Sequence, residues 1–213
     1  MCDDNNLQSH PYMVIERFEN TCPLLLSNEH RLDPYLEIES FFDGASLGYY
    51  RREIRSWFRI AMTENMEVKK CSEMIYFHNQ LIQLLQAGHL IVENDIKHPS
   101  LSHDSEAVER FKEWVSVMKD KKIDEGTGTK GSYDIQLLSD AEIVNPLFYL
   151  RQLLTLKRIA EIRFGLQEWL YCSLNGKSSI ATMEAKHVFG LFEDIEKLLE
   201  MLFILINGVE TVK

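Results

Sequence analysis

Arg51, Arg55 and Arg59 recur every four residues, with Arg52 beside the first, so a helix through them carries a guanidinium ridge along one face. The planar fork of each guanidinium suits carboxylates and phosphates, which makes the ridge the leading candidate surface for an anion or a protein partner. Two fates are open to it. The acidic stretch holding Asp33, Glu37, Glu39 and Asp43 lies immediately upstream, and internal pairing with it is the expectation. Left uncovered, the ridge would instead bind phosphate groups in a strongly salt-dependent way.

His78 and His89 are eleven residues apart, close to three helical turns, and so share a face within an apolar arc. Their backbones would stand about 16 Å apart, too far for one metal ion. Hydrogen-bonded core histidines are one reading and an internal polar pocket is the other, since a buried imidazole needs partners. Glu184 and His187 reproduce the E-x-x-H spacing with which helical bundles hold paired iron or manganese ions. Such a centre needs a second copy of the pair and two more glutamates. The second copy does not occur, so no metal and no cofactor are expected.

Two glycine motifs look catalytic. Gly44-Ala45-Ser46-Leu47-Gly48 matches the G-x-S-x-G nucleophile elbow, and Gly126-Thr127-Gly128-Thr129-Lys130-Gly131 matches G-x-G-x-x-G. The elbow belongs to a fold with several buried strands, and the rest of this chain offers helices in their place, so Ser46 reads as a helix cap. The second motif follows the charged run Lys121 to Glu125 where an apolar strand should be, and no helix opens after it. It reads as a loop.

The elements that must position these residues are helical. Asp33-Pro34 opens a short helix that Gly44 ends, although Leu36 to Glu39 also alternates like a strand. Ser46 caps an amphipathic helix to about Met62, with Tyr50, Ile54, Trp57 and Ala61 on its apolar stripe. From about Met66 to Glu93 apolar residues cover more than half the circumference, and Asn79, Gln80, Gln83 and Gln86 leave the remaining face largely uncharged. That pattern predicts the central helix of a bundle. A further amphipathic helix is expected from Asp104 or Ser105 through Met118. Ser139 and Glu142 form a capping box that opens a long helix to about Leu174, with Pro146 either inside its first turn or marking a restart. The final helix starts near Ser178 or Ser179, runs through Ile206, and is expected to pair with the preceding one as an antiparallel hairpin.

The result is an all-α bundle of about six or seven helices. It forms one domain over 1–213, with sub-halves 1–119 and 139–213 joined by a glycine-containing connection near 120–138. The 45% hydrophobic content is ample for a core in a chain of 213 residues. Cys2, Cys22, Cys71 and Cys172 are scattered and read as free thiols. The acidic N-terminus has no charged and apolar leader pattern, and Leu198 to Ile206 is too short to span a bilayer, so a cytoplasmic, non-membrane protein is expected.

Phe41-Phe42, Leu47, Tyr50-Arg51, Trp57 and Ala61, followed by Met74 to Phe77 and Leu81 to Leu85, are similar to a group of small uncharacterised helical proteins of Bacteroidetes-type bacteria. The likeness spans Asp33 to Val92. It implies a bacterial cytosolic protein and brings no activity and no catalytic residue.

Charge bears on partners. The net charge is -10, and it is uneven: residues 1–45 hold nine acidic and two basic residues, whereas 46–70 hold three and six. A polyanion would have to find the basic groups segregated on one surface, so nucleic acid is not an expected partner. The R-x4-6-H spacing of helical HEPN-type ribonucleases does not occur. The leading expectation is a non-enzymatic interaction or scaffold protein that self-associates or docks a protein. The alternative is a small-molecule or anion-binding bundle built on the ridge with His78 or Tyr50. A metal-dependent oxidoreductase at Glu184 and His187 is the remote third.

Overall fold

The computed structural model describes residues 25–65, 70–96, 135–181 and 183–210, and the structural statements below concern these. The expected helix over 104–118, most of the 120–138 connection, Cys2 and Cys22 lie outside them.

Side-chain caps set the first boundaries. Asp33 accepts from the Tyr35 amide and Pro34 stands at the first helical position, so α2 (Pro34–Gly44) starts just after α1 (Asn28–Leu32). Ser46 lies in extended backbone and accepts from the Tyr49 amide, which starts α3 (Leu47–Met62). Next comes α4 (Cys71–Glu93), whose first residues follow Lys70 without a side-chain cap.

The single helix expected from Ser139 to Leu174 is three helices. Ser139 and Glu142 do form the capping box, but α5 (Asp140–Val144) stops at Asn145. Pro146 has no amide hydrogen for the i–4 carbonyl and its ring crowds that carbonyl, so the chain restarts as α6 (Pro146–Leu153) under an Asn145 cap. Thr155 then leaves the helix and caps α7 (Leu156–Leu174) by accepting from the Arg158 amide. The chain ends α7 at Gly176, in the left-handed region at φ 61°, whose carbonyl accepts from the Asn65 amide at 2.8 Å. A 3-10 turn at Ser179–Ala181 precedes α8 (Ala185–Glu210). These eight α-helices, with no strand among the described residues, make an all-α bundle.

As expected of a central helix, α4 packs on α2, α6 and α7, but only its second half is buried. Its first two turns are wet: Cys71, Ile75, Tyr76 and Asn79 are exposed, and continuous burial begins only at Leu81. Of the uncharged amides, Asn79 faces water, Gln80 and Gln83 are half-buried, and Gln86 is buried and accepts from the Leu25 amide at 3.0 Å. The most continuously buried stretch among the described residues is in the C-terminal half of α8, where every residue from Leu198 to Ile206 is buried. It packs chiefly on α6, α3 and α2.

The expected antiparallel α7 and α8 hairpin is not the dominant pairing, because α7 lies more against α3 and α4. The 3-10 turn and its flanks give the connection enough length for the two helices to part. Where they do meet, Gly165 admits the Leu191 side chain, and a Cβ there would collide with it. Helices from both sides of residues 97–134 contribute to one continuous core.

Candidate functional site

The arginine ridge turns inward and pairs with a second ridge. Glu196 and Glu200 sit four residues apart on α8, as Arg51 and Arg55 do on α3, so the two helices present matching i, i+4 teeth. Arg51 pairs with Glu200, and both side chains are nearly inaccessible, at 5% and 0%. Arg55 Nε donates to Glu196 Oε1 at 2.8 Å, with the arginine half exposed.

Glu200 does more than meet Arg51. Its Oε1 accepts from the Gln136 amide at 3.0 Å and its Oε2 from the Leu138 amide at 3.1 Å, while the Leu137 amide reaches both oxygens. Three consecutive backbone N–H groups and a guanidinium therefore fill the carboxylate's lone pairs. Such a group offers neither a base nor a nucleophile to a substrate. It holds the incoming strand of chain at 136–138 against the middle of α8.

Two of the expected upstream acids, Glu37 and Asp33, are occupied elsewhere. Glu37 lies 2.6 Å from His30 Nδ1, and Asp33 serves as a cap. Proximity in sequence did not make them partners, because α2 packs mainly on α4 and α3 mainly on α7 and α8. The two remaining arginines point outward: Arg52 lies 5.9 Å over the Tyr49 ring, and Arg59 is exposed. Neighbouring Tyr50 is also engaged. Its hydroxyl donates to the Phe41 carbonyl at 2.5 Å, its ring stacks on Phe41, and burial, with Tyr49 and Tyr76 adding, pushes its pKa up to about 12.

The histidines do not share a cavity. His78 sits half-buried near the wet start of α4, with Nδ1 3.2 Å from Asn79 Oδ1 and its ring edge-on to Trp57. His89, more than two turns further along, lies 3.3 Å from Glu93. Each keeps one buried ring nitrogen without a hydrogen-bond partner among the described residues, Nε2 in His78 and Nδ1 in His89.

Burial holds the His78 imidazole below its ordinary 6.5, the Asn79 contact opposing it. A depressed folded pKa means that the unfolded chain takes the proton first. The stability carried by neutral His78 is thus present above about pH 6.5 and is lost as pH falls through the folded value. The urea midpoint should drop between pH 7 and pH 5, and His78→Phe should flatten part of that drop. Identical pH profiles for the two proteins would count against it.

Glu184 and His187 are both exposed at the start of α8, and the Glu184 carbonyl caps the helix by accepting from the His187 and Val188 amides. Among the described residues no group of three metal-ligating side chains comes together. Ser46 is a cap, and Gly44 before it ends a helix, so the elbow's required strand is absent there. The G-x-G-x-x-G run lies outside the described residues.

An open cleft of about 470 Å³ lies between α5, α6, α8 and the start of α7. Its charged groups other than Lys157 are matched internally. Lys197 reaches Glu142 at 3.0 Å, and Arg158 joins Glu161 at 2.7 Å and also Asp194. Burial raises the Asp194 pKa in spite of Arg158.

Two features escaped the sequence reading. Glu196 and Glu200 are the ridge's partners, and the one available signal was an acid standing alone in the most apolar run of the chain. The other is the solvent side of α7, where Phe164, Tyr171 and Leu174 are exposed at 59%, 48% and 39%. Their signal was a second set of three- and four-residue intervals on a helix already supplied with a buried stripe.

No family model, curated protein or solved structure matches this chain.

Proposed function

We propose that this chain is a non-enzymatic helical interaction protein of a bacterial cytosol, which self-associates or docks a protein partner. The observation that carries the reading is the outward face of α7. A helix that buries Ile159, Ile162, Leu166, Trp169 and Cys172 needs nothing apolar on its far side, yet Phe164, Tyr171 and Leu174 stand there in solvent. Phe189 on α8 and Ile180 in the 3-10 turn add further exposed apolar surface. Exposed apolar surface on one helix face is characteristic of interaction sites, and aromatic side chains dominate the energetics of such contacts.

The charged groups support the same reading. Arg51 and Arg55 are committed to Glu200 and Glu196, so an anion would find only Arg52 and Arg59 of the ridge facing out. No described helix is long and apolar enough to cross a membrane. Static light scattering with crosslinking, and affinity capture from a bacterial lysate with partner identification, test the proposal. An assembly larger than one chain, or a stoichiometric protein partner, is the expected result. A strict monomer that captures nothing overturns it.

A further inference from the structure

Both main-chain polar groups of Leu25 are held by side chains of one distant helix. Gln86 Oε1 on α4 accepts from the Leu25 amide at 3.0 Å, and Gln83 Nε2, one turn earlier, donates to the Leu25 carbonyl at 3.2 Å. Leu26 comes next and is buried, and four residues further on His30 Nδ1 lies 2.6 Å from the Glu37 carboxylate of α2. The seat formed by α2 and α4 therefore recognises a non-helical backbone residue, the leucine after it and a nitrogen donor four positions beyond that leucine. Backbone hydrogen bonds for affinity and a side-chain pocket for specificity are the means by which extended peptides are bound.

The segment in that seat is lightly fastened. No residue of α1 is buried, and Leu32 at its end is 87% exposed. Among the described residues its anchors are the Leu26 side chain, the two glutamines and the His30 contact, set against the conformational entropy of ordering residues 25–32. Segments held in this way belong to the low-stability end of a fold and open while the rest stays closed. Opening strips the buried Gln86 of the amide it accepts from and the Glu37 carboxylate of His30, and those are groups that a second peptide can satisfy. We propose that the seat between α2 and α4 is a peptide-docking site closed in cis by residues 25–32, and that its partner in trans is a protein segment of the same chemistry, a leucine with a basic residue four positions on. The proposal rests on the interaction reading above and gives it a second surface. A tethered segment sits at an effective concentration on the order of 1 mM, so a free one competes poorly until the cis anchor is broken. The contact is autoinhibitory.

A fluorescent synthetic peptide with the sequence of residues 23–32, titrated with the full chain and followed by anisotropy, tests this. Leu26→Asp breaks the cis anchor and should bind the peptide about tenfold more tightly than the wild type, with its helical circular dichroism retained. Adding Gln86→Leu should remove that gain, and a peptide carrying His30→Ala should bind about threefold more weakly or worse. Trypsin reads the cis contact without the peptide: cleavage after Arg31 should run about tenfold faster in Leu26→Asp than in the wild type. Leu26→Ala, a milder cut, should give the same order with smaller steps and serves if the aspartate variant does not fold. Equal peptide binding by wild type and variants, or none by any of them up to about 1 mM, overturns the docking site and leaves the reading from α7 standing. Arg31 cleavage indifferent to the Leu26 changes overturns the closure in cis. A strict monomer that captures no protein while the opened variants still bind the peptide overturns the interaction reading from α7 alone.

Discussion

Glu200→Ala is expected to lower the unfolding free energy by about 3–5 kcal/mol, the range for breaking a buried ion pair by removing one partner. The loss compounds two effects. Arg51 stays behind as a buried charge with its carboxylate gone, and the amides of Gln136, Leu137 and Leu138 lose their acceptor in one step. Against a typical total of about 5–15 kcal/mol the variant sits near the edge of folding. Glu200→Gln should cost nearly as much, because it is neutral and its NH2 points two donors where the amides already donate.

Arg55 provides the internal comparison. Its guanidinium is half exposed while Glu196 is buried, so truncating Arg55 opens a path for water to that carboxylate, and Arg55→Ala should cost less than Glu200→Ala, about 1–3 kcal/mol. The double change Arg51→Met with Glu200→Met separates the terms. Replacing the charged pair by apolar side chains should recover much of the Coulombic loss, while the orphaned amides keep the double variant below the wild type. Urea unfolding of the four proteins reads all of this. A Glu200→Ala midpoint no lower than that of Arg55→Ala would mean that the cradle contributes little.

That cradle also explains which parts of the fold were legible. Helix boundaries set by local chemistry could be read directly: Asp33, Pro34 and Gly44 bracket α2, Ser46 opens α3, and Ser139 with Glu142 opens α5. Each is decided within four residues. Thr155 was harder, because Leu154 and Leu156 continue an apolar pattern across the break and only the Thr155 side chain, turned to the Arg158 amide, ends it.

Pairing between distant elements was not legible. Arg55 and Glu196 are 141 residues apart, and nothing near either one distinguishes its partner from any other acid or base. The deep burial of α8 was missed for a related reason. Hydrophobic periodicity scored Glu200 against burial and the glutamines of α4 in favour of it. In the fold Arg51 and three amides offset the carboxylate's desolvation, whereas on α4 only Gln86 of the three glutamines is buried. The site suffered most, since the outward stripe of α7 becomes visible only once its inward face is known.

The aromatic core around α3 and α7 yields the second large effect. Trp169 is completely buried, 5.8 Å from Trp57 and 5.4 Å from Phe58 between ring centres. Trp169→Ala removes the largest fully buried side chain from the point where α7 meets α3, and should cost about 3–5 kcal/mol. The more informative change is Trp169→Phe. The Trp169 Nε1 has no hydrogen-bond acceptor among the described residues, so phenylalanine gives up packing but no hydrogen bond. It also removes a buried donor whose desolvation nothing offsets. Trp57 differs, because its Nε1 donates to the buried Ser173 hydroxyl at 3.2 Å. Trp57→Phe forfeits that bond and strands the Ser173 oxygen, adding about 1 kcal/mol or more to a similar packing loss. Trp57→Phe should therefore be the more damaging of the two, with Trp169→Ala worse than either, in urea unfolding followed by far-ultraviolet circular dichroism. If Trp169→Phe proved the more costly phenylalanine variant, the Trp169 indole would have to be donating to an acceptor beyond the described residues.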